Sequence, residues 1–409
     1  MKKYYQLSLI IISFISLVLV IIYRNEYNRL RYVLEVLNFF GKPNGIENNY
    51  CNLLENVTMI NKYNVPIPAW QNIGDAYIYS AFWDESSIGG TVQALGISKE
   101  VAFPLFMCSI WYTNQIKPVK GKFSTQLLST SSNEYNYKLY IFSCRVDKSF
   151  GVPFNVMYYK DSNIKSSGIP VYSKNFLSPS NSILACIKPT HSTRNPTETI
   201  EFLNFHQVLG IKNYIIYDNG ILVPSLLNPL IGLDITVLPW NLPFYLEQEL
   251  VHQIIENDCL MRTKNAVEMN VILNWNELIV PSAETSVSSL INAYDPLQRF
   301  KKFQFSVLDF CLDFQDEENN PKTQVIFHKL HYKKKKESAT FLIRSKSIND
   351  DESQQKLIDS EIAIVQRYVE CFKHNISNKL DRSSIILRFN TDFVKTYLYK
   401  LWITGSLFK

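Results

Sequence analysis

The residues with most chemistry to offer lie at 274–277. Asn274-Trp275-Asn276-Glu277 follows one apolar run, Val271-Ile272-Leu273, and precedes another, Leu278-Ile279-Val280, closed by Pro281. A buried strand that ends in polar side chains delivers them into a cleft, and two residues two apart on an extended chain point the same way. Two amides can orient a polar ligand and Glu277 can exchange a proton, but a divalent cation calls for more anionic oxygen than this. Asp309 and Asp313, in Leu308-Asp309-Phe310-Cys311-Leu312-Asp313-Phe314, offer a general base for a hydroxyl nucleophile; their alternation equally fits the polar face of a plain strand. His191 and His252 have no neighbours at metal-ligand spacing, and His206 falls on a helix, where packing is the plainer role. The chain has no glycine-rich phosphate loop and no serine elbow, which excludes those nucleotide-binding and hydrolase chemistries.

The elements around these residues read as alternating strands and helices. A short strand at 182–188 stops at Pro189. Thr197 caps a helix with Glu198 and Glu201 in its first turns, Ile200, Leu203, Val208 and Leu209 as apolar positions, and Gly210 as its stop. Strands follow at 214–217, ending in Asp218-Asn219-Gly220, and at 234–238. A second helix is predicted at 247–262, then a strand at 267–275 that carries the first amide. Such an order predicts an α/β domain, a mostly parallel sheet with covering helices. Ligands of such sheets sit beyond the carboxyl ends of the strands, which nominates Asp218, Asn219, Asn274, Asn276 and Glu277. Earlier in the chain, short β-rich runs at 76–83, 106–112, 137–142 and 154–159 predict an antiparallel β module.

The 409 residues leave room for more than one domain, and 46% hydrophobic with 13% aromatic residues excludes extended disorder. A net charge of +5 is mild, and the run Lys333–Lys336 reads as a solvated loop, so no nucleic-acid partner is expected. Residues 4–23 carry no charge and match a bilayer core, with Lys2 and Lys3 before them and Arg24 after. The expected organisation is a signal anchor with a short tail at 1–24, a stem at 25–69, a β-rich module at 70–175 and an α/β domain at 176–409. Asn56 and Asn375 head glycosylation triplets, while Asn195 is excluded by Pro196. The seven cysteines show no metal spacing and could form up to three bridges, or sit as small buried hydrophobes.

Several stretches, in this order, resemble glycosyltransferase family 92. They are Tyr79-Ser80-Ala81-Phe82-Trp83-Asp84, Cys186-Ile187-Lys188-Pro189, the run from Ile200 to Ile211, Tyr214-Ile215-Ile216-Tyr217-Asp218-Asn219 and Asp258-Cys259-Leu260-Met261-Arg262. The resemblance implies a single-pass type II membrane protein of the secretory pathway, in the Golgi apparatus, with a catalytic domain of the GT-A kind. It implies transfer of a hexose, galactose first among them, from a nucleotide diphosphate sugar such as a UDP-sugar to a glycan or glycoprotein acceptor. It places Lys188 among the donor-binding residues and implies bridges between Cys108 and Cys144 and between Cys186 and Cys259.

Such a transferase holds a divalent cation, manganese, because a departing nucleotide diphosphate gathers negative charge. The family's motif looks like Asp-x-Asp-Glu-Phe, and this chain has Asn274-Trp275-Asn276-Glu277-Leu278. Both metal-binding acids are amides. Near the C-terminus the family carries His-Tyr-Arg, for which the counterpart here is Arg388-Phe389-Asn390. Two readings stay open. Either Arg388 supplies the cationic charge in place of a metal, since a guanidinium grips phosphate oxygens bidentately, or the site no longer catalyses and the chain binds glycan or partners a working transferase.

Overall fold

Alternating apolar side chains before residue 175 close into a barrel. The structure, a computed structural model, describes Ser16 and residues 68–405, apart from Asp75, 86–88, Pro104, 131–135, 148–149, 161–167, 174–181, 191–195, 220–231, Asn265, 315–323, 346–354 and 372–379. The early strands are β1 (Gln71–Asn72), β2 (Ala76–Asp84), β3 (Thr91–Ser98), β4 (Met107–Tyr112), β5 (Val119–Thr130), β6 (Lys138–Arg145), β7 (Pro153–Tyr159) and β8 (Ile169–Tyr172). Their order is β1-β2-β3-β6-β5-β4-β7-β8, and β8 returns to β2 through Ala81↔Val171 and Phe82↔Tyr172. Closure removes the sheet edges that would otherwise invite pairing with another chain. Ile78, Val92, Ala94, Ile110, Phe142, Val156 and Tyr158 fill the interior. A disulfide joins Cys108 to Cys144 across the intervening β5. It passes over Gly121, where a Cβ would lie 2.3 Å from the Cys144 sulfur, so only glycine fits beneath it.

The second layer contains β9 (Ile183–Ile187), α1 (Pro196–Val208), β10 (Asn213–Asp218), β11 (Asp234–Pro239), α2 (Gln248–Thr263), β12 (Met269–Leu273), β13 (Glu277–Pro281), α3 (Val287–Tyr294), β14 (Lys302–Cys311), α4 (Val325–His328), β15 (His331–Arg344), β16 (Gln355–Leu357), β17 (Ala363–Val369), β18 (Asp381–Arg382), a 3-10 turn (Ile385–Phe389), α5 (Asn390–Lys395) and α6 (Tyr397–Ile403). The strand order is β11-β10-β9-β12-β15-β14-β17-β13, with β16 beside β14 and β18 beside β15. The half from β11 to β12 is parallel. Beyond β12 the pairs β12–β15, β15–β14 and β17–β13 are antiparallel, and β14–β17 is parallel. The sheet is thus mixed rather than mostly parallel. Helical crossovers enforce parallel pairing only where they exist, and the long ones fall before residue 264.

Local details depart from the sequence reading for the same kind of reason. Helix α1 starts at Pro196, not at a Thr197 cap, because proline has no N–H to leave unpaired in a first turn. It is buried on every side from Thr199 to His206. The C-terminal helices lie over it: the Asn204 amide donates to Phe393 O, and the Thr396 hydroxyl donates to Asn204 Oδ1. Lys333–Lys336 lies on β15, a strand rather than a loop. Two more disulfides tie β9 to α2 through Cys186–Cys259 and the end of β14 to the chain after β17 through Cys311–Cys371.

The barrel meets the α/β layer through α2, and residues Ile67–Lys409 form one compact unit. Asp258 of α2 accepts from Ser80 of β2 (2.5 Å), from Tyr217 of β10 (2.6 Å) and twice from Arg262 (2.9 and 3.1 Å). The Arg262 guanidinium lies over the rings of Phe82 and Tyr172. Among the described residues no helix is long and apolar enough to cross a membrane. The predicted span at 4–23, apart from Ser16, lies outside the described residues, as do Asn56, Asn375 and Cys51.

Candidate functional site

The amide-rich segment is a turn, not the end of a strand running to Trp275. β12 stops at Leu273, whose carbonyl accepts from Lys188 N (3.0 Å), and β13 starts at Glu277. Four Cα steps span at most roughly 14 Å, whereas four strand spacings on a flat sheet would be roughly 19 Å. The sheet must therefore curl at this corner. Glu277 fastens the turn twice: Asn274 N donates to its carboxylate (2.8 Å), and its own N–H donates to Asn274 O (3.1 Å). Trp275 packs against Phe202. Asn276 clamps Tyr368 of β17 from both sides of the peptide: its side chain donates to Tyr368 O (2.8 Å) and its carbonyl accepts from Tyr368 N (2.9 Å).

That clamp sets the charges beside it. Register places Asp309 of β14, Arg367 of β17 and Glu277 of β13 in one row across three strands. Arg367 holds Asp309 through Nε (2.7 Å) and Nη2 (2.6 Å). Lys188 stands next to this row. Burial holds its ammonium below the usual lysine range; Glu277 and Glu249 pull the other way, and Arg367 adds to the depression. Lys188 Nζ lies 3.2 Å from His252 Nδ1, His252 Nε2 lies 3.3 Å from Glu256, and Glu256 takes Lys302 Nζ at 3.0 Å. A charged Lys188 donates to Nδ1, which leaves the ring proton on Nε2 to be donated to Glu256. Burial alone would raise the Glu256 pKa, but the bonds from His252 and Lys302 outweigh it and hold this carboxyl low.

Lys188, Asn274, Asn276, Glu277 and Asp309 therefore meet at one corner. Asp218 and Asn219 sit at the neighbouring strand end: Asp218 O accepts from Trp240 N, and the Asn219 amide donates to Thr190 O. Asn219 also lines a pocket of about 260 Å³ with Trp240, Leu242, Phe244, Tyr245 and Val251. Val251 precedes His252 on α2, so the pocket and the charged corner are adjacent. Two sequence candidates are not at this corner. Asp313 is exposed, and its carboxylate accepts from Cys371 N beside a disulfide. Arg388 donates to the carbonyls of Ser282 and Ala283, past the far end of β13 and roughly 17 Å of strand from Glu277.

The cation that does reach the corner, Arg367, was missed by sequence reasoning. Its signal was modest: it is the only charged residue in Ala363-Ile364-Val365-Gln366-Arg367-Tyr368-Val369. His252 and Glu256, four apart on one helix face, carried a clearer one. A divalent cation does not fit the oxygen set present. Asn274 and Asn276 are neutral, Asn276 is used as a donor, Glu277 fastens a turn and Asp309 is held by Arg367. Among the described residues, no three His, Cys, Asp or Glu side chains gather as a metal-holding group.

Comparison with known proteins bears on the α/β layer. No curated protein matches the chain. Among solved structures, 4-diphosphocytidyl-2C-methyl-D-erythritol synthase from Anaerococcus prevotii DSM 20548 shares 10% identity, covering 53% of this chain and 99% of that one at a TM-score of 0.23. A UDP-glucose pyrophosphorylase complexed with UDP-glucose shares 7%, covering 54% and 99%, also at 0.23. Neither likeness is close enough to inform the site. The family model for glycosyltransferase family 92 matches residues 181–382, which contain the whole charged corner and leave the barrel outside. Through these residues the chain belongs to glycosyltransferase family 92.

Proposed function

We propose that this glycosyltransferase domain transfers a hexose, galactose first among the candidates, from a UDP-sugar to a glycan on the lumenal side of a secretory membrane. One observation carries the reading. The carboxyl ends of β9, β10 and β12 converge on Lys188, Asn219 and Asn274, beside an aromatic-lined pocket, where an open α/β sheet binds its ligand. The pocket suits a flat base, which stacks on aromatic faces, and Lys188 next to it suits phosphate. An uncleaved apolar segment at 4–23 would anchor the protein with its catalytic domain in the lumen, where Asn56 and Asn375 would be glycosylated. The test is incubation of the full-length protein with a panel of UDP-sugars and an acceptor glycan array, reading product mass. A one-hexose increment from UDP-galactose alone is the expected outcome. An increment from a different donor would correct the sugar.

A second reading has its own support. The acids that could act as base are engaged, Glu277 by the turn and Asp309 by Arg367. A chain that binds donor or glycan without turnover, alone or with an active transferase, fits that arrangement. Donor binding with no product on any acceptor would favour it.

A further inference from the structure

We propose that the corner grips a nucleotide diphosphate without a divalent cation, using Lys188 and Arg367, and that Asn276 is the positioning residue which makes this possible. The inference rests on the donor-binding reading above and goes beyond it by naming what replaces the metal.

Asn276 occupies the position of the second acid in the family's motif. An aspartate there would be acceptor-only and would face the Tyr368 carbonyl with no proton to share. The amide instead donates to that carbonyl while its backbone accepts from Tyr368 N. Residue 368 is thereby fixed at two points, and Arg367 is its immediate neighbour on β17. The amide is a working donor in the position where the family resemblance calls for a metal ligand. The Oδ1 left over is a neutral acceptor, which offers a cation a dipole but none of the anionic charge an aspartate would bring.

Lys188 and Arg367 come from different strands, β9's end and β17, and flank the same turn: Lys188 N donates to Leu273 O at its start, and Glu277 at its end pairs in register with Arg367. Each is held by its own partners: Lys188 through His252 and Glu256, Arg367 through Asp309. Two like charges kept together at a strand end raise the affinity for an anion that bridges them. His252 and Glu256 are positioning residues that aim Lys188. Lys302 takes the other oxygen of the Glu256 carboxylate, so Glu256 is held between His252 and Lys302. A diphosphate leaving group would receive its counter-charge from these two side chains.

Calorimetry on the full-length protein in a mild detergent, with UDP as the probe, tests this. Binding in EDTA equal to binding in manganese is expected. Binding that requires manganese would overturn the inference while leaving the donor reading intact, and no binding in either condition would overturn the donor reading itself. Arg367→Lys keeps a cation for Asp309 but removes the planar fork, and should weaken UDP about tenfold. Lys188→Ala should weaken it by a similar factor, with a shallower salt dependence. Unchanged affinity in both variants, with unchanged melting temperature, would sink the proposal. His252→Gln can still accept from Lys188 and should retain most affinity, whereas His252→Leu should lose about as much as Lys188→Ala; equal behaviour of the two would remove the positioning role. Asn276→Asp should weaken UDP in both buffers. A manganese-dependent gain in that variant would show that the amide merely replaced a metal ligand, and would count against its role as a donor.

Discussion

Two aspartate–arginine pairs in this chain have the same chemistry and different situations. Asp258–Arg262 joins the barrel to the α/β layer, with side chains 0% and 2% exposed. Every lone-pair direction of Asp258 is taken, by Ser80, Tyr217 and two N–H groups of Arg262, and the guanidinium is covered by Phe82 and Tyr172. Asp309–Arg367 lies at the strand-end corner, 14% and 17% exposed, with both guanidinium contacts on one carboxylate oxygen. The first pair is saturated, closed to any ligand and bound to the assembly of two layers. The second is reachable and stands beside another cation. Saturation of hydrogen bonds, rather than the identity of the residues, separates a structural pair from one that can serve a ligand.

The sharpest way to break this contrast is to remove one partner from each pair. Asp258→Asn leaves Arg262 charged and buried without compensation. It should cost about 3–5 kcal/mol in denaturant-induced unfolding. Full stability in that variant would mean the pair is incidental to the layer contact.

Glu201 of α1, buried like Asp258, sharpens it further because among the described residues no cation is paired with it. Glu201 accepts from Val325 N at the start of α4, and burial pushes its pKa up to about 7. A raised folded-state pKa means stability that is fully present below the unfolded value near 4.5 and is lost as pH rises through about 7. His206, on the same helix, runs in the other direction. Burial lowers its pKa to about 4, so its contribution is present above 6.5 and lost as pH falls towards 4. Together they should leave the native protein nearly flat between pH 4.5 and 6.5. Glu201→Gln should expose the histidine's acid lability, roughly 3 kcal/mol across that fall. His206→Phe should instead show stability declining by a similar amount, roughly 3 kcal/mol, from pH 4.5 to 7. Melting curves of the three proteins across this range would decide it, and parallel curves would refute both assignments.

The smallest expected effect belongs to the reachable pair. Asp309→Asn should change stability by only about 1 kcal/mol, because a partly exposed pair is screened and its charge is not stranded. UDP affinity should move far more than the melting temperature does. The opposite ranking would make Asp309–Arg367 a second structural pair and erase the distinction.

Legibility in the sequence followed the range over which each force acts. The helix at 248–263 and the strands β2, β4, β6, β7, β9, β10 and β11 were readable because periodicity, proline and glycine signals act over a few residues, whereas β1, β3, β5 and β8 were not read. The neutral amides at 274 and 276 were readable from residue type alone, as was the anomaly they represent. Arg367 was not, because its importance comes from register across β14, β17 and β13, and no local pattern encodes which strands become neighbours. Arg388 illustrates the converse: a plausible residue in a plausible position along the chain, directed by the fold onto the carbonyls after β13.

The opening segment shows the division most clearly. Sequence determined that 274–277 carries two amides and a single acid between apolar runs, and that no cation-binding pair of aspartates is present there. Only the tertiary structure decided what these groups do. Glu277 closes a turn, Asn276 donates to β17, and the positive charge comes from residues 188 and 367, on either side in the sequence. The reason is geometric. A side chain's type fixes which bonds it can make, whereas its partners are set by strands that meet only once the sheet has curled.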